Sequence, residues 1–264
     1  MTDRTPKPPP QHHSRNAPPP ALLGSDADRS IRHAGITAGV GILLIAVLAG
    51  FGKFVAVDGL VTPDDAARTA TDILASEGLF RLGVAALSVV VALDVVVAWA
   101  LYRVFSPVNT GISLLAAWFR LVYAGVLLVA VSHLVEVLRL LGDDQYRAAF
   151  NTDQLQAQAL SGIHSFGEVF GAGLLLFGLH LLVVGYLAYR SGYVPRLLGV
   201  LLAVAGLGYV VDSFGAILFR GSWTDVSAFT FIGEFLLALW LVVRGRRVTL
   251  GGPELHGDPL AVAR

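Results

Sequence analysis

The chain has 264 residues, of which 55% are hydrophobic and only 14% are charged. This apolar excess excludes an ordinary soluble globule, in which charged residues make up about a quarter of the sequence. The formal net charge is zero and there is no cysteine, which argues against a nucleic-acid partner and excludes disulfides, thiolate metal sites and cysteine nucleophiles. We therefore expect an integral membrane protein whose partner is the lipid bilayer.

The two ends of the chain differ from its middle. Residues 1–30 are rich in proline and polar residues, with too little apolar surface to offset the entropy of ordering. We expect them to form a disordered cytoplasmic tail, and residues 248–264 to form a second one. Residues 31–247 are expected to form a single transmembrane domain.

The middle of the chain contains six apolar segments separated by polar or turn-forming residues. A helix of about 20 apolar residues crosses a bilayer. Breaks such as Gly192 and Pro195 end one helix and begin the next. The predicted spans are residues 34–57, 79–105, 111–141, 160–189, 196–219 and 228–243.

The charges between the spans predict an orientation. Most of the 19 lysine and arginine residues lie in the two tails and in the second and fourth connections, whereas the other three connections are rich in aspartate and glutamate. Under the positive-inside rule, both termini then lie in the cytoplasm. The predicted fold is an all-α bundle of six transmembrane helices in a bacterial cytoplasmic membrane.

The first external connection carries a helix-start pattern. Thr62 fits the N-cap position and Pro63 the first helical position, and the charges of Asp64 and Asp65 suit a helix N-terminus. This pattern predicts a short amphipathic helix on the outer surface.

Titratable side chains recur within the apolar segments, where hydrocarbon penalises them. Counting about 1.5 Å per residue along each helix places one group of them toward the outer ends of the spans. We expect these groups to share an outward-facing polar pocket, because none of them is stable facing lipid. The candidate residues are Arg81, His133, Glu136, His164, Glu168, Asp212 and Glu234, with Lys53 at the same level.

Two interpretations of this pocket stay open. Two histidines and several carboxylates could bind a divalent metal such as Zn²⁺, Mn²⁺ or iron, although the HxxE and HxxxE spacings match no established metal motif. Alternatively, Arg81 and Lys53 could neutralise the carboxylates, which would make the group a structural, charge-paired core.

A second group of titratable residues lies deeper. Asp94 in the second span and Arg120 in the third lie at comparable depths, which predicts an ion pair that fixes these helices as neighbours. His180, in the fourth span, could be a proton carrier, a haem ligand or a hydrogen-bonded core residue.

Several strings of the sequence carry a resemblance. They are RTATDILASEGLFRLG, LYRVFSPVN, LLAAWFRLVYA, DQLQA, FGLHLLVVGYLAYRSGYVPRLLGVLLAVAGLGYVVDS and IGEFLLALWLVVRG. In order and spacing, from about residue 31 to residue 245, the chain resembles the bacterial membrane-protein family catalogued as domain of unknown function 4386. The resemblance implies a six-helix membrane protein, and it implies no activity because none is established for the family. It also places five polar residues in the family's signature stretches: Asp94, Arg120, His180, Asp212 and Glu234.

Three classes of function stay open. The first is an integral membrane protein of unknown activity with a polar intramembrane cluster. The second is a small proton- or ion-coupled transporter, in which the polar groups would line a water-filled path. The third is an intramembrane enzyme, which would need the outer pocket to hold a metal or His180 to hold a haem.

Overall fold

The computed structural model describes residues 20–218 and 232–244, with side chains from Arg29 onward except that of Ile217. These residues form eight α-helices with no strand among them, which confirms the all-α prediction. Between α1 and α2 the chain continues as a π-helical segment, Phe51–Val57, and a 3₁₀ turn, Asp58–Leu60. The helices are α1 Pro20–Gly50, α2 Ala66–Ala75, α3 Glu77–Phe105, α4 Thr110–Gly142, α5 Asp144–Ala149, α6 Thr152–Arg190, α7 Arg196–Leu218 and α8 Ile232–Arg244.

Five helical stretches are long and apolar enough to cross a membrane, so the chain has the character of a multi-pass membrane protein. They are Arg29–Leu60, Glu77–Phe105, Thr110–Gly142, Thr152–Arg190 and Arg196–Ala216. The first four cover the first four predicted spans, and the fifth covers residues 196–216 of the predicted span 196–219. The sixth predicted span corresponds to α8, of which 13 residues are described. The expected tails fall mainly on residues 1–19 and 245–264, outside the described residues, and α1 already begins at Pro20.

The six longer helices contact one another in a closed ring. α1 packs against α3, α3 against α4, α4 against α6, α6 against α7, α7 against α8, and α8 returns to α1. A side chain that points inward from any of these helices therefore meets side chains from the others. The short helices α2 and α5 lie outside this ring, and α2 packs mainly on α6.

Helices α6 and α7 pack with their backbones in contact. A Cβ atom added to Gly185 would lie 2.7 Å from the carbonyl oxygen of Gly199, and one added to Gly206 would lie 2.5 Å from that of Gly178. Small residues allow this close approach, which is a common way for helices to associate in lipid, where apolar burial gives no driving force.

The turn between α6 and α7 is tied to the end of α3. Gly192 has a φ of 74°, a conformation that favours glycine. The Tyr193 hydroxyl donates a hydrogen bond of 2.6 Å to the carbonyl oxygen of Val104, and its ring stacks on Phe105. Burial raises the pKa of the Tyr193 phenol, so the hydroxyl remains a protonated donor.

The short amphipathic helix expected after the first span is α2, but it begins later than predicted. Asp65, not Thr62, is its N-cap, because the Asp65 carboxylate accepts a hydrogen bond of 2.9 Å from the backbone N–H of Arg68. Asp64 has a φ of 60° and turns the chain after Pro63. The predicted start at Thr62 and Pro63 was wrong because it ignored this turn.

We predict that Gly185→Leu lowers the stability of the protein, because the added side chain has no space between α6 and α7. Overpacking a close contact costs about 1–3 kcal/mol. The measurement is the melting temperature in detergent. Gly125→Leu is the matched control, since a Cβ atom at Gly125 in α4 meets nothing within 4 Å. Equal melting temperatures for the two variants would contradict the close packing of α6 on α7.

Candidate functional site

Four polar side chains reach the same depth inside the helix ring. Each lies ten or eleven residues from one end of its helix: Asp94 from Phe105, Arg120 from Thr110, His180 from Arg190 and Glu234 from Arg244. At 1.5 Å per residue these separations are about 15–17 Å. This distance is about half of the roughly 30 Å of hydrocarbon that a membrane-spanning helix crosses.

Arg120 is the centre of this cluster, which we call the arginine cluster and define as Asp94, Arg120, His180 and Glu234. Its Nε and Nη2 atoms each lie 2.8 Å from Oδ1 of Asp94, and its Nη1 lies 2.9 Å from Oε1 of Glu234. The side chain of Arg120 is 0% exposed and that of Asp94 1%, whereas that of Glu234 is 17% exposed. One guanidinium thus links α3, α4 and α8.

The neighbours of His180 assign its tautomer. Its Nδ1 lies 2.9 Å from the carbonyl oxygen of Ala116, which can only accept, so Nδ1 carries the proton. Its Nε2 lies 3.2 Å from Nη1 of Arg120, which can only donate, so Nε2 is the acceptor. His180 is therefore a neutral imidazole with both nitrogens engaged.

Aromatic rings surround the guanidinium. The Arg120 Cζ atom lies 5.3 Å from the ring centroid of Phe177, a cation–π contact. Phe177 in turn packs against Tyr123 at 5.0 Å and against Tyr209 at 5.5 Å between ring centroids. Sequence reasoning missed these rings, because an aromatic residue inside an apolar helix carries no signal that separates it from core packing.

The hydrogen bonds of the arginine cluster are incomplete, and so is its charge balance. Asp94 Oδ2 and Arg120 Nη2 are buried without a hydrogen-bond partner, because Nη2 is near Oδ1 but not aligned with it. With Asp94 and Glu234 both ionised and His180 neutral, one cation faces two anions. The cluster then carries one excess negative charge in a buried position.

Two of the seven side chains predicted to form an outer pocket do line a cavity. His164 and Glu168 lie in an open cleft of about 720 Å³ between the π-helical segment, α6 and α7. Lys53 and Asp58 of the first span and its 3₁₀ turn line the same cleft, and their ion pair is 2.7 Å long. We call this cavity the outer cleft.

The other five residues lie elsewhere, so the seven do not form one pocket. Arg81 Nη2 pairs with Glu77 at 2.6 Å, and Glu136 lies 3.8 Å from Arg139. Each of these exposed pairs joins two residues of one helix. The sequence had instead suggested that Arg81 and Lys53 neutralise carboxylates of the outer pocket, but both pair with carboxylates outside that set. His133 is half-buried in α4 and Asp212 is buried in α7, and neither lines the outer cleft.

Glu234 lies deeper than the sequence suggested. It shares Arg120 with His180, and His180 is 16 residues, or about 24 Å along α6, from His164. The prediction counted the depth of Glu234 from the outer end of its span. Counting from the basic end at Arg244 places Glu234 ten residues into its helix. Arg120 lies equally far from Thr110, so this count would have grouped the two residues.

The metal site that the sequence left open as one interpretation has no ligand set in the described part of the chain. Among residues 29–218 and 232–244, no group of three His, Cys, Asp or Glu side chains is placed to hold a metal ion. Zinc sites use at least three protein ligands. The outer cleft contributes His164 and Glu168, while its Asp58 is paired with Lys53.

Comparison with known proteins shows which family the chain belongs to. The model of the family described as "Domain of unknown function (DUF4386)" matches residues 37–245. The chain belongs to this family. The Asp94, Arg120, His180 and Glu234 positions all lie inside the matched region, as does the whole helix ring from residue 37 onward.

A relative is also known by sequence. An uncharacterized protein of Archaeoglobus fulgidus is 34% identical over 160 residues, which cover 61% of this chain and 82% of that protein. No solved structure matches the chain. Neither the family's description nor the relative's name indicates an activity.

We predict that Arg120→Ala destabilises the protein strongly, because it leaves the buried Asp94 and Glu234 without their cation. Breaking a buried ion pair in this way costs about 3–5 kcal/mol. The measurement is the yield and melting temperature of the variant in detergent.

Arg139→Ala is the control for this prediction. Arg139 is on the same helix but is exposed, and its Nη1 atom lies 3.8 Å from Oε2 of Glu136. Exposed pairs contribute about 0–1 kcal/mol. An Arg120→Ala variant as stable as Arg139→Ala would show that the guanidinium does not hold the ring together.

Proposed function

We propose that this protein is a proton-coupled transporter and that the arginine cluster is its proton site. The observation that supports the proposal is the excess of carboxylate over cation near the membrane midplane: Asp94 and Glu234 share the single guanidinium of Arg120.

An unbalanced charge in a low-dielectric interior costs free energy. A carboxylate that takes up a proton becomes neutral, which removes the excess charge. Binding of one proton by Asp94 or Glu234 would leave one anion opposite one cation. The charged and titratable groups that face the cluster come from five helices. They are Asp94 from α3, Arg120 and Tyr123 from α4, His180 from α6, Tyr209 from α7 and Glu234 from α8.

Glu234 is the better candidate for exchanging the proton. Its side chain is 17% exposed, whereas that of Asp94 is 1% exposed. A proton on Glu234 would also weaken its bond to Arg120 Nη1, because an ionised acceptor binds a guanidinium more strongly than a neutral one. Proton uptake would then loosen α8 from α4, which is the type of coupling that a transporter requires.

The geometry favours a positioning role for His180 over a role as haem ligand or proton carrier. A haem iron would need a ring nitrogen with a free lone pair. The Nε2 lone pair faces Arg120 and Nδ1 is bonded to Ala116. His180 instead holds the guanidinium at the position where both carboxylates reach it.

We further propose six spans with both termini in the cytoplasm of a bacterial cell, in its cytoplasmic membrane. Basic residues at the helix ends support this orientation, because arginine and lysine concentrate on the cytoplasmic side of membrane proteins. Exposed aromatic residues, which occur at both membrane interfaces, mark the level of the bilayer surface. Trp99, Trp118, Tyr186 and Tyr189 are exposed near the helix ends that carry Arg103, Arg190 and Arg196.

The orientation is tested with single cysteines, which the cysteine-free chain allows without background labelling. We predict that Ser106→Cys reacts with a membrane-impermeant maleimide only in inverted vesicles. Asp64→Cys, in the first external connection, should react only in intact cells or right-side-out vesicles. The reverse pattern at either position would contradict the proposed topology.

The proton site is tested by a rapid pH change applied to proteoliposomes on a solid-supported membrane. We predict a transient charge displacement in the natural protein, since a proton that reaches the midplane crosses part of the membrane field. Asp94→Asn and Glu234→Gln should each abolish it, because either change balances the cluster without a proton while keeping a polar group beside Arg120.

Glu77→Gln is the matched control, because Glu77 is an exposed carboxylate paired with Arg81. It should give the same charge displacement as the natural protein. A displacement that persists in both Asp94→Asn and Glu234→Gln would end the proposal that the arginine cluster binds the proton.

A further inference from the structure

We propose that the outer cleft binds an organic cation: a small molecule with an ammonium-type head and an apolar body. This inference deepens the proposed function and rests on it, because it names the class of substrate that such a transporter would exchange with protons.

The outer cleft lies where a substrate could enter from water. His164 and Glu168 are 26 and 22 residues before Arg190 in α6, which places them about 33–39 Å from that helix end. A hydrocarbon core of about 30 Å therefore ends just below them. The volume of about 720 Å³ falls in the range of small-molecule sites, which is about 300–1,000 Å³.

The charges of the outer cleft favour a cation. Lys53 is neutralised by Asp58, with Nζ 2.7 Å from Oδ2, and its ammonium also lies 5.3 Å from the ring centroid of Phe54. Glu168 has no ion-pair partner among the described residues and is exposed. Beyond the Lys53–Asp58 pair, Glu168 supplies the remaining carboxylate of the cleft lining.

Apart from Ser213, whose hydroxyl donates a hydrogen bond to the carbonyl oxygen of Gly171, the remaining wall of the outer cleft is apolar. It contains aliphatic and aromatic side chains that would contact a hydrocarbon body, while Glu168 would contact the positive head. A bare metal ion fits less well, because the cleft offers fewer than the three free ligands that a zinc site uses. The apolar lining residues are Val61, Ile163, Phe166, Ala172 and Ala216.

The π-helical segment explains how Lys53 and Asp58 are held in the wall. The backbone N–H of Asp58 bonds to the carbonyl oxygen of Lys53, the spacing of five residues that defines a π-helix. This bond places the two side chains on one face, where they form their ion pair. Lys53 is thereby held by Asp58 and leaves Glu168 available for a ligand.

The test is direct binding to the full-length protein in detergent at constant pH. The probes are benzyltrimethylammonium and its neutral isostere neopentylbenzene, and the measurement is saturation-transfer-difference NMR. We expect the cation to bind and the isostere to bind at least about tenfold more weakly, since only the cation is attracted by the carboxylate of Glu168. Tenfold corresponds to about 1.4 kcal/mol.

Glu168→Gln should weaken binding of the cation at least about tenfold and leave the melting temperature unchanged. Glu136→Gln, the same substitution at an exposed carboxylate outside the cleft, should bind as the natural protein does. Equal binding of the isostere, or binding by Glu168→Gln that equals that of the natural protein, would overturn the proposal.

The same variants distinguish failure of the proposed proton site from failure of the proposed cation site. Asp94→Asn and Glu234→Gln alter the arginine cluster, about 24 Å along α6 from the level of His164, so they should still bind benzyltrimethylammonium. If they lose the cation while Glu168→Gln keeps it, the cation binds in the arginine cluster and the assignment to the outer cleft is wrong. Glu168→Gln should in turn keep the charge displacement that reports the proton site.

Discussion

The guanidinium of Arg120 takes its partners from inside the protein, and four of the long helices meet at it. A charged group near the membrane midplane has neither water nor lipid headgroups within reach. Asp94, His180 and Glu234 supply the partners from three other helices. The face that each of these helices turns inward is thus set by a single side chain, and the ring of helix contacts closes around it.

The arginine cluster and the outer cleft differ in their physical properties. Around Arg120, charges are buried, closely bonded and enclosed by Tyr123, Phe177 and Tyr209. At the outer cleft, His164 and Glu168 are exposed on the same helix and face an open cavity. The levels of His164 and His180 lie about 24 Å apart along α6, which connects the two regions without a loop.

The sequence contains the helical framework but only part of the site. Apolar length and turn residues such as Gly192 predict most helix ends to within a few residues, because hydrocarbon imposes a fixed span. Depth counting groups Asp94 with Arg120 for the same reason. Depth counting misplaces Glu234, since the depth depends on which end of the helix the count starts from. It also cannot show that Glu136 and Arg81 pair with residues of their own helices. Rotation of each helix about its axis decides these contacts, and a helix that is apolar on every face carries little information about its rotation.

The short connection between α3 and α4 has a consequence for how the protein enters the membrane. Residues 106–109 join the two helices, so Asp94 is synthesised shortly before Arg120 and is already positioned to meet it. The two helices can then leave the translocation machinery as a hairpin with no net charge in its core, which avoids the cost of inserting a lone arginine. Glu234 arrives with the last helix, so the excess charge of the cluster is created only when assembly of the ring is complete.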